Sequence, residues 1–220
     1  MNIDNKSVYK QLSACNQNRL KNLLKGLPIS IVENYSVDNE GLWSLTKYNI
    51  AITLCKRLLE LNGISRESVI TDAMAGVGGN TIPFAQVFKR VNSVEICESR
   101  KKMLDRNIKL YRLNNVNTHL KSYSVNDFEQ DIVYFDPPWG ENYKDFDSLI
   151  ISVKINGREC KLHDLVAQLH GKCKYIVMKL PINYNMQELT NALINMKLVD
   201  TKKYNKPNSQ IIVIFECIYN

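Results

Sequence analysis

Runs of apolar residues alternate with amphipathic segments over most of the chain, in the rhythm of strand–helix–strand units. The pattern predicts helices at 6–26, 47–61, 81–89, 98–113, 161–170 and 185–196. It predicts strands at 68–75, 91–96, 117–124, 130–136, 174–180, 198–204 and 209–218. Because no helix separates the last two strands, we expect them to pair antiparallel. This alternation indicates a doubly wound, three-layer α/β fold.

Three other segments add detail to this outline. A loop at 37–46 carries Trp43, which we expect to pack as a lid on the core; the alternative is that its ring lies over a ligand. An Asn-Gly pair suits the tight turn of a hairpin at 153–158. Basic residues interleave with the apolar positions of the helix 6–26, so its polar face either contacts an RNA-like partner or is only solvated.

The composition is that of a globular domain with a surplus of positive charge. The chain has 220 residues, enough for one domain with a full core, and its formal net charge of +7 favours a polyanionic partner such as nucleic acid. No apolar run reaches membrane-spanning length and the first residues start no secretory signal, so we expect an intracellular protein of the nucleus or cytoplasm. The six cysteines and three histidines are scattered, so we expect reduced thiols and no metal site.

The strand predicted at 130–136 ends in a motif that carries candidate chemistry. Asp136 is followed there by Pro137, Pro138 and Trp139. Ligands bind in the loops after the strands of open α/β sheets, and the prolines remove two backbone donors while leaving carbonyls that accept hydrogen bonds. A carboxylate and a carbonyl beside a flat ring could hold the exocyclic amino group of a planar base. The simpler alternative is an ordinary proline turn after a buried strand.

A glycine-rich loop, 76–80, follows the first predicted strand and suits the close approach of a ligand. It differs from a dinucleotide-binding loop, because Thr81 stands where that fingerprint needs glycine and because Asp72 would repel a pyrophosphate. Asp72 suits a ligand with an ammonium group instead. Glu95, at the end of the next strand, can accept two ribose hydroxyls, and the segment 126–128 can pair with an adenine amino group. A sugar, an adenine and an ammonium group together indicate S-adenosylmethionine, against the alternative of a glycine turn that binds nothing.

With these motifs the sequence resembles the trimethylguanosine synthase family, the cap-specific guanine-N2 methyltransferases. The resemblance covers about residues 30–218 and is carried by EGLWSLT at 40–46, by DAMAGVGGNT at 72–81 and by DPPWG at 136–140. Weaker support comes from Arg106-Asn107, 126–128, Tyr143 and 180–183. The resemblance implies a Rossmann-like class I methyltransferase fold, a three-layer sandwich with a mostly parallel, seven-stranded sheet.

The resemblance also implies which residues bind the two substrates. The methyl donor would be held by the glycine loop and neighbouring segments, namely Asp72, Gly76, Gly78, Asn80, Thr81, Glu95 and Asp127, with Ser44 and Thr46 at its methionine end. The methylated guanine would stack on Trp139, with Tyr143 and Asn183 in the same substrate site.

The sequence departs from the family pattern at two positions. Asp136 stands where family members have serine, as in adenine-amino methyltransferases. Ile182 replaces a residue that is often basic, so Lys179 or another lysine would contact the cap phosphates. We expect Asp136, Pro137 and Trp139 to be the catalytic set, in which the carboxylate and the Pro137 carbonyl align the amine for methyl transfer.

The function expected from the resemblance is methyl transfer from S-adenosylmethionine to the N2 amine of 7-methylguanosine caps, leaving S-adenosylhomocysteine and using no metal. The expected partner is capped RNA, without a membrane, and the expected state is a monomer. We expect a helical extension at 1–30 and a catalytic domain at 31–220. Two alternatives stay open: an amino methyltransferase acting on adenine N6 or guanine N2 within RNA, and a methyltransferase-like domain that only binds RNA.

Overall fold

The structure, a computed structural model, describes residues 12–205 and 209–218. Its helices are α1 (Ala14–Leu23), α2 (Ile29–Asn34), α3 (Asn39–Ser44), α4 (Tyr48–Leu58), α5 (Thr81–Ala85), α6 (Glu98–Leu110), α7 (Leu162–Ala167) and α8 (Met186–Ala192), with a 3₁₀ turn at Tyr143–Asp145. Its strands are β1 (Val69–Asp72), β2 (Arg90–Glu95), β3 (Val116–Leu120), β4 (Ile132–Phe135), β5 (Ser152–Ile155), β6 (Arg158–Lys161), β7 (Tyr175–Pro181), β8 (Met196–Tyr204) and β9 (Gln210–Cys217). Within the described ranges, no helix is both long and apolar enough to cross a membrane.

Seven of the described strands form one sheet, in the order β3-β2-β1-β4-β7-β9-β8. The pairs β1–β4, β4–β7 and β2–β3 are parallel, whereas β9 pairs antiparallel with both β7 and β8. β4 and β7 are buried along their whole length, as expected of central parallel strands covered on both faces. The predicted doubly wound fold, with a mostly parallel seven-stranded sheet and an antiparallel pair at its end, is confirmed.

Backbone contacts divide the described residues into two compact units. The first comprises the described residues up to 68 together with 75–121. In its core, Leu20 of α1 packs in one cluster with Tyr35 and Leu42. The helix α1 is therefore an integral part of this unit, and the division into an extension at 1–30 and a catalytic domain at 31–220 stays a prediction.

The second unit comprises Val69–Met74 and the described residues from Ser122 onward. Besides its strands of the large sheet, it contains a separate antiparallel hairpin of β5 and β6. The turn residues Asn156 and Gly157 have φ values of 49° and 79°. Two successive positive φ values are what a type I′ turn requires, so the predicted Asn-Gly hairpin is confirmed.

The loop predicted at 37–46 is wrong in part, because it contains the helix α3. Asp38 begins this helix as its N-cap: the carboxylate accepts a hydrogen bond from the Gly41 N–H at 2.7 Å. A carboxylate at this position satisfies one of the free N–H groups of the first helical turn. The motif at 40–46 is therefore presented from a helix and the segment after it.

Trp43 does not form the expected lid on the core. Its side chain is 60% exposed, and its neighbour Leu42 takes the buried position of α3. The Arg19 guanidinium lies 3.8 Å from the centroid of the Trp43 ring. The backbone of the short helix decides this outcome, since successive helical residues point to different faces.

Several boundaries differ from the prediction; the helices predicted at 161–170 and 185–196, for example, span Leu162–Ala167 and Met186–Ala192. The helix expected to reach Lys89 ends at Ala85, and a turn follows in which the Lys89 N–H donates to the Arg66 carbonyl at 2.7 Å, just before β2 begins. Of the helix predicted at 6–26, the structure shows α1 from Ala14 to Leu23, and residues 6–11 lie outside the described ranges.

Asn107 of α6 links three backbone groups in the first unit, which gives a stability test. Its buried side chain accepts from the Ser36 N–H and donates to the Ser36 and Val77 carbonyls, each at 2.8 Å. Asn107→Ala removes the partner of these buried groups. We therefore expect the free energy of unfolding, measured by urea denaturation, to fall by about 2–3 kcal/mol.

Asn114→Ala is the matched control for this substitution, because Asn114 is exposed. It should change the free energy of unfolding by less than about 0.5 kcal/mol. Equal losses in the two variants would show that the Asn107 bonds do not stabilise the fold.

Candidate active site

The glycine loop of the first unit is packed on one side and open at one residue. Gly76 and Gly78 have φ values of 55° and 99°, a region in which side chains are strained. A Cβ on Gly79 would lie 2.6 Å from Leu45 Cδ1 and 3.3 Å from the Thr46 backbone nitrogen. A Cβ on Gly76 would meet no heavy atom within 4 Å. The segment after α3 therefore closes on the loop at Gly79, while Gly76 borders open space.

Hydrogen bonds hold this loop in place. The buried Asn80 amide donates to the buried Thr46 hydroxyl at 3.1 Å. The Val77 carbonyl accepts from the Tyr35 hydroxyl at 3.2 Å and from the Asn107 amide at 2.8 Å. Two residues predicted to bind the donor, Thr46 and Asn80, are thus brought together although they lie far apart in sequence.

Glu95 ends β2 and is only 7% exposed. Its Oε2 accepts from the Gly76 N–H at 2.8 Å, and its Oε1 accepts from the Cys97 N–H at 2.7 Å. These two bonds fix the orientation of the carboxylate beside the glycine loop. Since each carboxylate oxygen can accept more than one hydrogen bond, Glu95 keeps the capacity to accept hydroxyl groups of a ligand.

Two other residues predicted at the donor site bond to protein groups. The Ser44 hydroxyl donates within α3 to the Glu40 carbonyl at 3.1 Å. Thr81 is fully buried and accepts from the Ser93 hydroxyl at 3.0 Å. Both hydroxyls support the walls of the loop, and their contact with a ligand stays a prediction.

Three strands of the second unit carry charged residues toward one edge of the sheet. Asp72 ends β1 and is 1% exposed, Asp136 directly follows β4, and Lys179 lies near the end of β7. β4 is parallel to both β1 and β7, so the carboxyl ends of the three strands meet at the same edge. Phe135 pairs with Met178 in this register, which places Asp136 and Lys179 side by side.

Asp136 and Lys179 form an ion pair. Lys179 Nζ lies 2.5 Å from Asp136 Oδ2, and the two side chains are 5% and 12% exposed. The sequence predicts Lys179, or another lysine, at the cap phosphates; the structure places the Lys179 ammonium in the interior, against a carboxylate. This pairing restrains the side chain of Asp136, which the sequence motif predicts to be catalytic.

Trp139 lies close to this ion pair. The centroid of its ring is 5.7 Å from Lys179 Nζ, and the Tyr143 ring packs against it edge-on, with 5.1 Å between centroids and 72° between planes. Pro137 is buried and Trp139 is half-buried. The predicted catalytic residues and two of the predicted substrate residues, Tyr143 and Lys179, are therefore neighbours.

Asn183 anchors the loop that carries Tyr143. Its side-chain amide donates to the Tyr143 carbonyl at 2.7 Å and to the Phe146 carbonyl at 2.6 Å. The backbone carbonyl of Asn183 accepts a hydrogen bond from the Leu149 N–H at 2.9 Å. The structure thus gives Asn183 a role in shaping the wall beside Trp139, and its direct contact with a substrate stays a prediction.

Asp127 lies in an exposed turn of the second unit, where its N–H donates to the Ser124 carbonyl at 3.2 Å. The Phe128 ring stacks on Tyr123, with 6.3 Å between centroids and 19° between planes. Burial raises the pKa of the Tyr123 phenol, so this ring stays neutral at physiological pH and acts as an apolar support. The turn therefore presents an exposed carboxylate next to an anchored aromatic ring.

The direct pairing of Lys179 with Asp136 is the feature that the sequence analysis missed. A signal for it exists: Lys179 is the one charged residue inside the apolar strand 175–180. A lysine in a buried strand needs a partner of opposite charge. The nearest candidate by topology is a carboxylate at the end of the parallel strand that precedes it in the chain.

A family model described as RNA cap guanine-N2 methyltransferase matches residues 67–215, well over half of the chain. The chain belongs to this family. The match includes the glycine loop, the Asp136 motif and Lys179, whereas Ser44 and Thr46 lie before the matched range.

Two individual relatives are similar to this chain. The chain is similar to an uncharacterized protein of Acanthamoeba polyphaga mimivirus, 38% identical over 155 residues, which are 68% of this chain and 59% of the relative. It is also similar to trimethylguanosine synthase of Schizosaccharomyces pombe, 28% identical over 122 residues, which are 48% of this chain and 49% of the relative. The chain thus covers 59% and 49% of the lengths of these curated relatives.

A solved structure supports the fold. A class I S-adenosylmethionine-dependent methyltransferase candidate from Listeria monocytogenes superposes with a TM-score of 0.62 at 14% identity, covering 95% of this chain and 70% of that chain. At this identity the likeness concerns the fold alone. It agrees with the class I arrangement of strands.

The cap methyltransferase family implies S-adenosylmethionine as the cofactor, and the residues present fit it. Gly76 borders open space that a side chain would fill. Glu95 is an oriented carboxylate with capacity for two ribose hydroxyls, and Asp72 is a buried carboxylate suited to an ammonium group. The chemistry of these groups therefore matches the sugar and the amino-acid end of this cofactor.

The bonds of Asn183 make a testable prediction about the loop 143–149. Asn183→Ala removes the two hydrogen bonds to the Tyr143 and Phe146 carbonyls. We expect amide hydrogen exchange in 143–149, measured by mass spectrometry, to become about tenfold faster, because local opening then breaks fewer bonds. Exchange in the glycine loop 76–80 should not change.

The control is Asn191→Ala, at an exposed position on α8 whose side chain only accepts a bond from Gln187. It should leave exchange in 143–149 as in the unmodified chain. Unchanged exchange in Asn183→Ala as well would rule out the anchoring role.

Proposed function

We propose that this chain transfers a methyl group from S-adenosylmethionine to the exocyclic N2 amine of 7-methylguanosine at the RNA cap. The observation that carries the proposal is the motif 136–139 as it is folded here: a carboxylate held by a buried lysine, beside a half-buried indole ring. Membership in the cap guanine-N2 family supports the same substrate. The likeness to a trimethylguanosine synthase supports it further.

The donor site in this proposal consists of the residues that the sequence motifs indicate. S-adenosylmethionine supplies an electrophilic methyl group on a sulfonium. Glu95 accepts the ribose hydroxyls and Asp72 pairs with the ammonium group. The other residues assigned to this site are Ser44, Thr46, Gly76, Gly78, Asn80, Thr81 and Asp127.

Asp136 has the central role toward the acceptor. The N2 amine of guanine is a poor nucleophile, because its lone pair is delocalised into the ring. The Asp136 carboxylate and the Pro137 carbonyl accept its two hydrogens and turn the lone pair toward the methyl group. Alignment and electrostatics of this kind accelerate the substitution without a covalent enzyme intermediate and without any need for a metal. The proton released afterwards goes to Asp136 or to solvent.

Trp139 gives a physical reason for a methylated base. A guanine methylated at N7 carries positive charge, and stacking on the indole ring then gains a cation–π contribution of about 0.5–2 kcal/mol. Tyr143 supports the ring edge-on. The neutral guanine of GTP lacks this contribution, so the site should prefer the methylated base.

The remaining assignments follow from the proposed substrate. The net charge of +7 suits an RNA partner. A monomer that acts in the nucleus or cytoplasm fits a capped RNA substrate. Lys179 and Asn183 complete the substrate site, the first through Asp136 and the second through the loop that carries Tyr143.

A second candidate function is methylation of an amino group within RNA, at adenine N6 or guanine N2. The observation in its favour is Asp136, because the cap family that this sequence resembles has serine there. The same carboxylate would accept the hydrogens of an adenine amine. The two functions differ in the base that Trp139 receives, so substrate assays separate them.

The deciding experiment is methyl transfer from labelled S-adenosylmethionine to 7-methyl-GTP, with unmethylated GTP as control. We expect labelled product with 7-methyl-GTP alone. If neither nucleotide is methylated and calorimetry still shows donor binding, the proposed substrate would change from the cap to an amino group within RNA. Absence of donor binding would refute both enzymatic proposals and leave a domain that only binds RNA.

Trp139→Ala tests the stacking role. We expect the affinity for 7-methyl-GTP, measured by calorimetry, to fall by about 1–2 kcal/mol, roughly 5- to 30-fold, through loss of the cation–π contact. Donor affinity should stay unchanged. Trp43→Ala, which removes an exposed indole in the first unit, is the matched control and should bind 7-methyl-GTP normally. An unaltered affinity in Trp139→Ala would remove Trp139 from the substrate site.

A further inference from the structure

Lys179 stands apart from the other basic residues of this chain. Among the residues that the structure describes, it is the one lysine or arginine that is buried. An ammonium group loses its hydration in the interior, and the cost is large unless a carboxylate and hydrogen bonds compensate it. Asp136 supplies the carboxylate, with Lys179 Nζ 2.5 Å from its Oδ2.

We propose that Lys179 is a positioning residue for methyl transfer: its ammonium holds the Asp136 carboxylate ionised and in the orientation that meets the substrate amine. This inference rests on the proposed function, in which Asp136 accepts hydrogens of the amine. Lys179 acts through Asp136, since its own side chain is only 5% exposed.

The strand register makes this arrangement rigid. β4 and β7 are parallel neighbours, and the pairing of Phe135 with Met178 brings Asp136 next to Lys179. On the other side of β7, Lys179 faces Ile212 of β9 in the ladder. Both strands are buried throughout, so the ammonium has little freedom to move away from the carboxylate.

The two oxygens of a carboxylate can serve different partners. One oxygen accepts a hydrogen bond from the lysine, and the other can accept one from a substrate. The strong charge-assisted bond to the lysine restrains the orientation of the whole carboxylate. A restrained acceptor lowers the cost of aligning the amine at the moment of transfer. Without Lys179, the Asp136 side chain would rotate or take up a proton, and a protonated carboxyl group accepts hydrogen bonds poorly.

Stability does not account for the pair by itself. Replacing a buried ion pair by apolar residues of similar volume is often neutral or stabilising. The strand around Lys179 is otherwise apolar, and methionine would fit such a strand. A functional demand on the charge of Asp136 explains why a lysine stands there.

Other charged groups near the pair bear on its pH dependence. On β1, Asp72 pairs in register with Tyr134, two residues before Asp136. On β9, the residue opposite Lys179 is uncharged Ile212. The loop after Trp139 carries Lys144, 5.6 Å from the Tyr143 ring, and the exposed acids Glu141, Asp145 and Asp147. Lys179 is in ion-pair contact with Asp136 at 2.5 Å, so its removal should raise the pH at which Asp136 ionises.

The test compares Lys179→Met with Lys179→Arg by measuring kcat against pH with 7-methyl-GTP. Loss of the cation makes ionisation of Asp136 harder, so the acid limb of the profile should move to higher pH in Lys179→Met. At neutral pH kcat should fall about tenfold or more, while donor affinity stays within about twofold. Lys179→Arg keeps the charge and should keep the acid limb close to that of the unmodified chain.

Two results would overturn the proposal. One is a Lys179→Met variant with unchanged kcat. The other is a fall of kcat that is equal at every pH and not rescued by arginine, which is the mark of a purely structural role. Should Lys179→Met fail to fold, Lys179→Gln, which removes the charge but keeps a donor, takes its place in the same comparison.

A second readout separates this inference from the proposed function. The carboxyl carbon of Asp136 is followed by ¹³C NMR through a pH titration, with its signal assigned by its loss in Asp136→Asn. The titration midpoint should be higher in Lys179→Met than in the unmodified chain. If the chain methylates neither nucleotide and the midpoint still moves, the proposed substrate fails while the control of Asp136 by Lys179 stands; an unmoved midpoint overturns the inference.

Discussion

The parallel pairing of β4 with β7 is the constraint on which the candidate site depends. It sets a carboxylate and an ammonium group side by side at the end of two buried strands. Neither charge would be tolerable there alone, because an unpaired ion in the interior costs several kcal/mol. The register of the sheet and the chemistry of Asp136 are therefore linked: a shift of β7 by one residue would place an apolar side chain beside the carboxylate and turn Lys179 to the other face.

In the first unit, packing and hydrogen bonds hold the glycine loop in one conformation. Close packing against Leu45 and Thr46 leaves no room for a side chain at Gly79. The bonds from Asn80, and those from Tyr35 and Asn107 to Val77, then fix the backbone. Glu95 accepts directly from a loop N–H, so the carboxylate that we propose as a ligand contact also orders the loop. The unit thereby gives a pre-formed surface, which lowers the entropy lost when a ligand binds.

Much of the fold could be predicted from the sequence, because strand and helix periods are local properties. The seven strands, their mixed orientation and the Asn156–Gly157 turn all follow from such patterns. The helix α3 could not be predicted from periodicity, since it is six residues long and depends on the cap at Asp38. Exposure of Trp43 escaped prediction for the same reason, because a one-residue change of helical phase decides whether Leu42 or Trp43 enters the core.

The candidate site was predicted less completely than the fold. Motifs identify residues such as Glu95 and Asp136, because each motif is contiguous in sequence. The partner of each residue depends on tertiary contacts: Thr46 with Asn80, Asn183 with the Tyr143 loop, and Lys179 with Asp136. Sequence alone suggests a phosphate contact for Lys179, since most lysines lie at the surface. The apolar strand around Lys179 indicates that this lysine is buried, and the register of the sheet identifies Asp136 as its partner.

The ion pair also has a consequence for how the site would recognise its base. Because Lys179 neutralises Asp136, the pair as a whole carries no net charge and attracts a cationic base only weakly. In the proposed function, a preference for a base methylated at N7 would then come from the π face of Trp139, whose attraction to a cation does not need a net negative charge. Asp136 would orient the substrate amine, and Trp139 would select a positively charged base. With these proposed roles, the same carboxylate would accept hydrogens from several amino-group substrates, while stacking on the Trp139 ring would select the base.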